Sequence, residues 1–213
     1  MKIQMSALKK ALAFLNNHRE AFFKARQYAE ETGHTVPSDT KSSSQILVSI
    51  LTGTSGLHRK KGRDLEDGSD VKAANAWDAI DVPRFNGVLP AGRKKMYGDV
   101  SALDDMPFVY FVLWDRATGL AGSERCRVWV VRPKVDATFR AVADRWYKAR
   151  ERGEITSDNF QLHPPIGDES NLVTNEAGNL LLPLFFRADF DGRKYRLKIV
   201  APEARTSAEC RPE

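Results

Sequence analysis

From Ser6 to about Thr32 apolar side chains return at helical spacing (Leu8, Leu12, Leu15, then Phe22 and Phe23), and Gly33 is placed to cap the end. This predicts one long helix or two in succession. Pro37-Ser38-Asp39-Thr40 breaks the pattern, and Ser42 to Leu51 resumes it as a second helix with Ile46, Leu47, Ile50 and Leu51 facing inward, ended by Gly53 and Gly56. After a polar, loop-rich stretch from Trp77 to Met106 the period changes. Phe108 to Trp114 and Arg127 to Val131 are rich in aromatic and β-branched residues and read as two strands joined by a Gly-containing turn. Asp136 to Arg152 returns to helical spacing, with Phe139, Val142, Ala143, Trp146 and Tyr147 on one side. Leu180 to Phe186 and Tyr195 to Val200 flank Asp191-Gly192 as a terminal hairpin, and the residues after Pro202 read as a frayed tail. Helices first, then strands with a helix between them, predict a mixed α/β domain.

Composition changes this picture little. A chain of 213 residues with 42% hydrophobic and 29% charged residues is expected to form one compact unit, with a helical part over 1–55, an α/β core over 56–202 and a tail over 203–213. No apolar run is long enough to span a membrane and no signal core follows the N-terminus, so a cytoplasmic protein without a membrane partner is expected. The two cysteines, Cys126 and Cys210, form neither a disulfide framework nor a zinc cluster and are expected to be free thiols. No Gly-x-Ser-x-Gly elbow and no Walker motif occurs, so serine-nucleophile chemistry and phosphate-loop nucleotide binding lack support.

Charge is more informative in its placement than in its sum. The net charge is +5, and basic residues gather at His58-Arg59-Lys60-Lys61-Gly62-Arg63 and at Arg93-Lys94-Lys95, with acidic residues between them. Two Asp-x-Lys triplets occur, about what chance supplies in this composition, so context has to choose between them. Asp39-Thr40-Lys41 precedes a helix and reads as its cap. Asp70-Val71-Lys72 follows Glu66-Asp67-Gly68, which fits a three-residue hairpin loop with glycine in the left-handed region. That register sets Leu65 against Ser69 and Asp64 against Asp70, and strand alternation brings Lys72 to the face of Asp70. Two opposed carboxylates repel unless a cation lies between them, and a divalent ion with oxygen ligands suits them. If Asp67-Gly68 instead made a two-residue turn, Asp64 would face away from Asp70, leaving Glu66 or another group as the acidic partner.

The pattern Asp64-x(5)-Asp70-x-Lys72 resembles the signature of the PD-(D/E)xK nucleases, and the longer run from Gly62 to Asn86 is similar to the MamI-type restriction endonucleases. The resemblance is partial: no proline precedes Asp64, and the helix Ser42 to Leu51 offers Gln45 where some relatives place a glutamate. It implies a restriction-endonuclease-like mixed sheet flanked by helices, with an N-terminal helical segment. It also implies Asp64 and Asp70 as Mg²⁺ ligands, Lys72 as the third catalytic residue, and site-specific cleavage of double-stranded DNA by a homodimer. Phosphate contacts are expected from Arg59, Lys60, Lys61, Arg63, Arg93, Lys94 and Lys95, and base contacts from Asn75, Arg84, Asn86, Gln161 and His163. Other readings of the same residues are a basic DNA-binding protein without catalysis, or a repair or other nuclease using the same site.

Overall fold

The fold was analysed in a computed structural model, which describes residues 3–32, 40–57, 62–76, 82–93, 96–116, 123–165, 172–175 and 178–206. A five-stranded sheet holds the molecule together. It is built from β1 (Asp70–Asn75), β4 (Val109–Asp115), β5 (Arg125–Val131), β8 (Leu184–Phe190) and β9 (Tyr195–Val200), side by side in that order. Only β1 runs parallel to its neighbour, Asp70 opposite Val109 and Asn75 opposite Trp114, while the remaining pairs are antiparallel. Between β1 and β4 lie the short β2 (Gly92–Arg93) and β3 (Met96–Tyr97) and a 3₁₀ turn at Val100–Leu103.

The central strands are buried along their whole length because both sheet faces are covered, and they read as apolar runs except at one end, where Asp115 pairs with Arg125 and Arg127. Alternate residues go to opposite faces. Tyr110, Val112 and Trp114 pack under α1 (Met5–Thr32) and α2 (Lys41–Thr52), which contribute Leu8, Ala11, Leu15, Leu47, Val48 and Leu51. Val109, Phe111 and Leu113 pack under α3 (Ala137–Glu151) through Phe139, Val142, Ala143 and Trp146. Asp136 caps α3 by accepting a hydrogen bond from the Phe139 N–H, and Gly53, at φ 76°, ends α2 with its N–H on the Ser49 carbonyl.

Three expectations need correction, and three others fall outside the described residues. Ile46 is 49% exposed rather than inward, because α2 buries Ser44, Leu47, Val48 and Leu51, and Ile46 falls off that stripe. The run Leu180 to Phe186 is two strands. Pro183 has no N–H to give a ladder, so the chain changes sheets there: β7 (Gly178–Leu181) pairs with β6 (Leu172–Asn175) in a separate ribbon, and β8 enters the main sheet. The terminal hairpin does form, turning at Asp191-Gly192 with Gly192 at φ 93°. The hairpin expected around Glu66-Asp67-Gly68 is a single turn and not a two-stranded ribbon, since Leu65 bridges to Gly56 while Asp70 joins β4. The caps and turns expected at Gly33 and after Trp114, and the thiol of Cys210, lie outside the described residues, whereas Cys126 is buried and free.

Candidate active site at the edge strand

The turn before β1 sets the site. Gly68 has φ 88° and donates its N–H to the Leu65 carbonyl, while the N–H groups of Asp64 and Leu65 both reach the Ser69 carbonyl at 3.2 and 3.1 Å. This is the three-residue loop, not the two-residue alternative. The Asp67 carboxylate accepts from the Ser69 N–H at 2.9 Å and stiffens it. Although the strand on the Asp64 side stops after this one rung, the turn alone swings Asp64 onto the start of β1, where its Oδ2 accepts from the Val71 N–H at 3.0 Å.

Asp64, Asp70 and Lys72 therefore converge. Lys72 Nζ lies 2.9 Å from Asp70 Oδ2, and Gln45 Nε2, from α2, donates to Asp64 Oδ1 at 2.6 Å. The Val71 N–H donates to both carboxyl groups, to Asp64 Oδ2 at 3.0 Å and to Asp70 Oδ1 at 3.1 Å. Burial, and then the hydrogen bond with Asp70, pushes Asp64 up to about 6. Burial works in the same sense on Asp70, but the hydrogen bond from Asp64 and the Lys72 ammonium outweigh it and hold Asp70 below the usual carboxylate range.

A cleft of about 470 Å³ opens along β1 over these groups, and Asn75, Arg84 and Asn86 line it together with Asp64, Asp70 and Lys72. Arg63 does not line it: its Nη2 donates to the Ala102 carbonyl at 3.3 Å, so it ties the turn to the 3₁₀ segment and does not reach toward a phosphate. Glu66 is exposed and lines a neighbouring groove, about 980 Å³, that also touches Gln45 and Asp64, so the extra acid does not enter the cleft with Asp70. Gln161 and His163 line a hollow beside α3, although the Gln161 amide reaches Asn86. Arg59, Lys60, Lys61, Lys94 and Lys95 fall outside the described residues, as does the side chain of Arg93.

Two contributors escaped the sequence reading. Thr40 and Lys41 line the cleft, and the Lys41 charge acts on Asp64. Thr40 precedes α2, yet its side chain makes no cap hydrogen bond. The available clue was electrostatic, since a lysine in a first helical turn that has no acid opposes the helix dipole and suits an anion from elsewhere. Asn159, two residues before Gln161, is bonded to Asn86 as well.

Among the described residues no three His, Cys, Asp or Glu side chains gather around one point. A cation here would rest on Asp64 and Asp70 and fill its remaining positions with water and substrate oxygens, the arrangement Mg²⁺ tolerates well. Two carboxylates competing for one proton, with Asp64 raised by its neighbour, fit such an ion.

A mixed sheet flanked by helices, with two carboxylates and a lysine at its parallel edge strand, is a restriction-endonuclease-like α/β architecture. The model of the MamI restriction endonuclease family matches residues 27–197, and the chain belongs to that family. It is 33% identical over 165 residues to the type II restriction enzyme MamI of Microbacterium ammoniaphilum, an alignment covering 73% of this chain and 53% of that enzyme. The chain thus spans about half the length of the curated relative it matches. No solved structure matches it.

Proposed function

We propose that the chain carries the catalytic site of a type II restriction endonuclease, hydrolysing phosphodiester bonds in double-stranded DNA at a specific sequence with Mg²⁺. The observation that carries this is the convergence of Asp64, Asp70 and Lys72, with Lys72 Nζ 2.9 Å from Asp70 Oδ2, in a cleft lined by further cations. When bound, Mg²⁺ supplies a Lewis acid for a phosphate oxygen and a more acidic water. Asp64 and Asp70 would hold the ion, with Gln45 fixing the Asp64 carboxylate through its 2.6 Å hydrogen bond. Lys72 orients the attacking water and offsets the negative charge that develops on the phosphoryl oxygens as the bond to the leaving 3′-oxygen breaks. Arg84 and Lys41, both in the lining of the cleft, hold neighbouring phosphates, and Asn75 and Asn86, also in its lining, contact bases. A homodimer is the assembly that suits a palindromic duplex site. Among the described residues no helix is long and apolar enough to cross a membrane, and a DNA substrate places the protein in the cytoplasm.

The test is incubation of this chain with plasmid DNA, with and without Mg²⁺, beside Asp70→Ala and Lys72→Ala. Discrete fragments that require Mg²⁺, and a rate loss of about 10²–10³-fold or more in each variant, are expected. Intact plasmid in every lane with retained gel-shift binding would leave a DNA-binding protein without catalysis. A Mg²⁺-dependent smear would leave a general nuclease.

A further inference from the structure

Beyond the catalytic groups, the cleft is lined by Asn86, whose amide is bonded to two amides from the hollow beside α3, Asn159 and Gln161. Asn159 Oδ1 accepts from the Gly87 N–H at 2.6 Å. A backbone N–H can only donate, so this bond settles which end of Asn159 is oxygen, and its Nδ2 is left to donate to Asn86 Oδ1 at 3.0 Å. Gln161 Nε2 donates to the same oxygen at 2.8 Å. Both lone pairs of the Asn86 carbonyl are thereby occupied, and what Asn86 has to offer in the cleft is its NH₂ group.

These bonds are not needed to hold the two segments together. Phe85 and Leu162 already exchange backbone hydrogen bonds at 2.9 and 3.1 Å, Val88 N–H reaches the Phe160 carbonyl, and Phe85, Phe160 and Leu162 are buried in the core beneath α3. Phe85 points in, so its neighbours Arg84 and Asn86 both line the cleft over Asp64 and Asp70. The distinctive effect of the amide chain is to set the orientation of an exposed side chain beside the cutting site.

We propose that Asn86, held by Asn159 and Gln161, is a specificity-determining residue that reads guanine in the major groove. An unconstrained asparagine prefers adenine, donating to N7 while its carbonyl accepts from the N6 amino group. Here that carbonyl is already filled, so the adenine amino group finds no acceptor. Cytosine shows a donor and is rejected, while thymine shows one acceptor. Guanine presents two acceptors, N7 and O6, and no donor, which matches a side chain that can only donate. This rests on the reading of the chain as a DNA-cleaving enzyme, and it sharpens that reading to one base.

The experiment selects a randomised duplex library by binding to the whole chain in Ca²⁺, so that the readout does not depend on cleavage. The wild type is expected to enrich a motif containing a guanine at which Asn86→Ala and Asn86→Asp each lose about 10-fold or more of the discrimination. Asn86→Asp keeps both acceptor bonds while it replaces the donors by a charged oxygen, so its motif rather than its overall affinity separates reading from folding. Gln161→Ala frees one carbonyl lone pair and is expected to shift the preference at that position toward adenine. Replacing that guanine by 7-deazaguanine is expected to weaken wild-type binding several-fold. An unchanged motif in both Asn86 variants, a lost position that is not guanine, or no motif enriched by the wild type would overturn the proposal. A motif with the expected guanine, combined with no plasmid cleavage, would overturn the endonuclease reading and leave this one standing.

Discussion

Of the two carboxyl groups of the site, Asp64 bears the cost of their closeness, raised to about 6 by burial and then by its hydrogen bond with Asp70. A cation that binds the folded pair and not the unfolded chain converts the cost into linkage. At a divalent-ion concentration ten times the Kd the protein should gain about 1.4 kcal/mol, raising Tm by roughly 3–6 °C for a chain of this size. Calorimetry with Ca²⁺ or Mg²⁺ checks this, and Asp70→Ala should abolish the shift; an equal shift in that variant would place the ion elsewhere. Lys41 makes a second case. Because it sits at the positive end of α2 and its charge reaches Asp64, a phosphate seated between them would feel both. Lys41→Gln is expected to reduce the slope of log K against log salt by about one, equally for all duplex sequences. A slope identical to wild type would remove Lys41 from the phosphate path.

At the scale of elements the site depends on one tight turn. Gly68 has φ 88°, and a Cβ there would lie 3.2 Å from the Asp105 carbonyl oxygen. Gly68→Ala should cost about 1–2 kcal/mol in stability from backbone strain alone. It should reduce cleavage far more than that, because the turn is what swings Asp64 onto β1; activity falling only in proportion to folded protein would show that Asp64 is placed by other contacts. This turn was one of two registers the sequence allowed, and its chemistry is local: Gly68 permits the left-handed dihedral of the three-residue loop, and the approach of Asp64, Asp70 and Lys72 follows from that register. The helices and central strands were legible for the same reason, through period and cap. What lay beyond reach was set by distant partners. Nothing near Leu65 says that it will bridge to Gly56, nor does anything near Ile46 say which side of α2 the sheet will cover. Arg63 looked like part of a basic clamp until the fold brought the Ala102 carbonyl beside it. Asn159 joins Asn86 across 73 residues of chain.

Across the whole molecule, α1 is fastened to the far end of the sheet by buried charge. Glu124 Oε1 accepts from Arg19 at 2.9 Å, Arg116 at 2.6 Å and the Tyr195 hydroxyl at 3.1 Å, and Arg116 Nη2 donates to His18 Nδ1 at 3.0 Å. His18 also stacks on Trp114, with ring centroids 4.4 Å apart. Burial, and then the positive charge of Arg116, pushes His18 down to about 4. The folded protein therefore keeps this imidazole neutral while the unfolded chain takes up a proton near pH 6.5. Between those values the unfolded state binds more protons, so stability rises with pH through the window and is lost as pH falls from about 6.5 to about 4. The shift corresponds to roughly 3 kcal/mol, and the partial exposure of the ring discounts it to about 1–2 kcal/mol. His18→Gln keeps an acceptor for Arg116 and cannot be protonated, so its urea stability should decline less steeply across the same window. Parallel pH profiles for the two proteins would assign the acid sensitivity to other groups. Since α1 packs on α2, and α2 carries Lys41 and Gln45, acid that loosens the His18 attachment should weaken DNA binding over the pH range in which stability falls, and His18→Gln should lessen both losses, leaving the part of the binding change that belongs to Asp64.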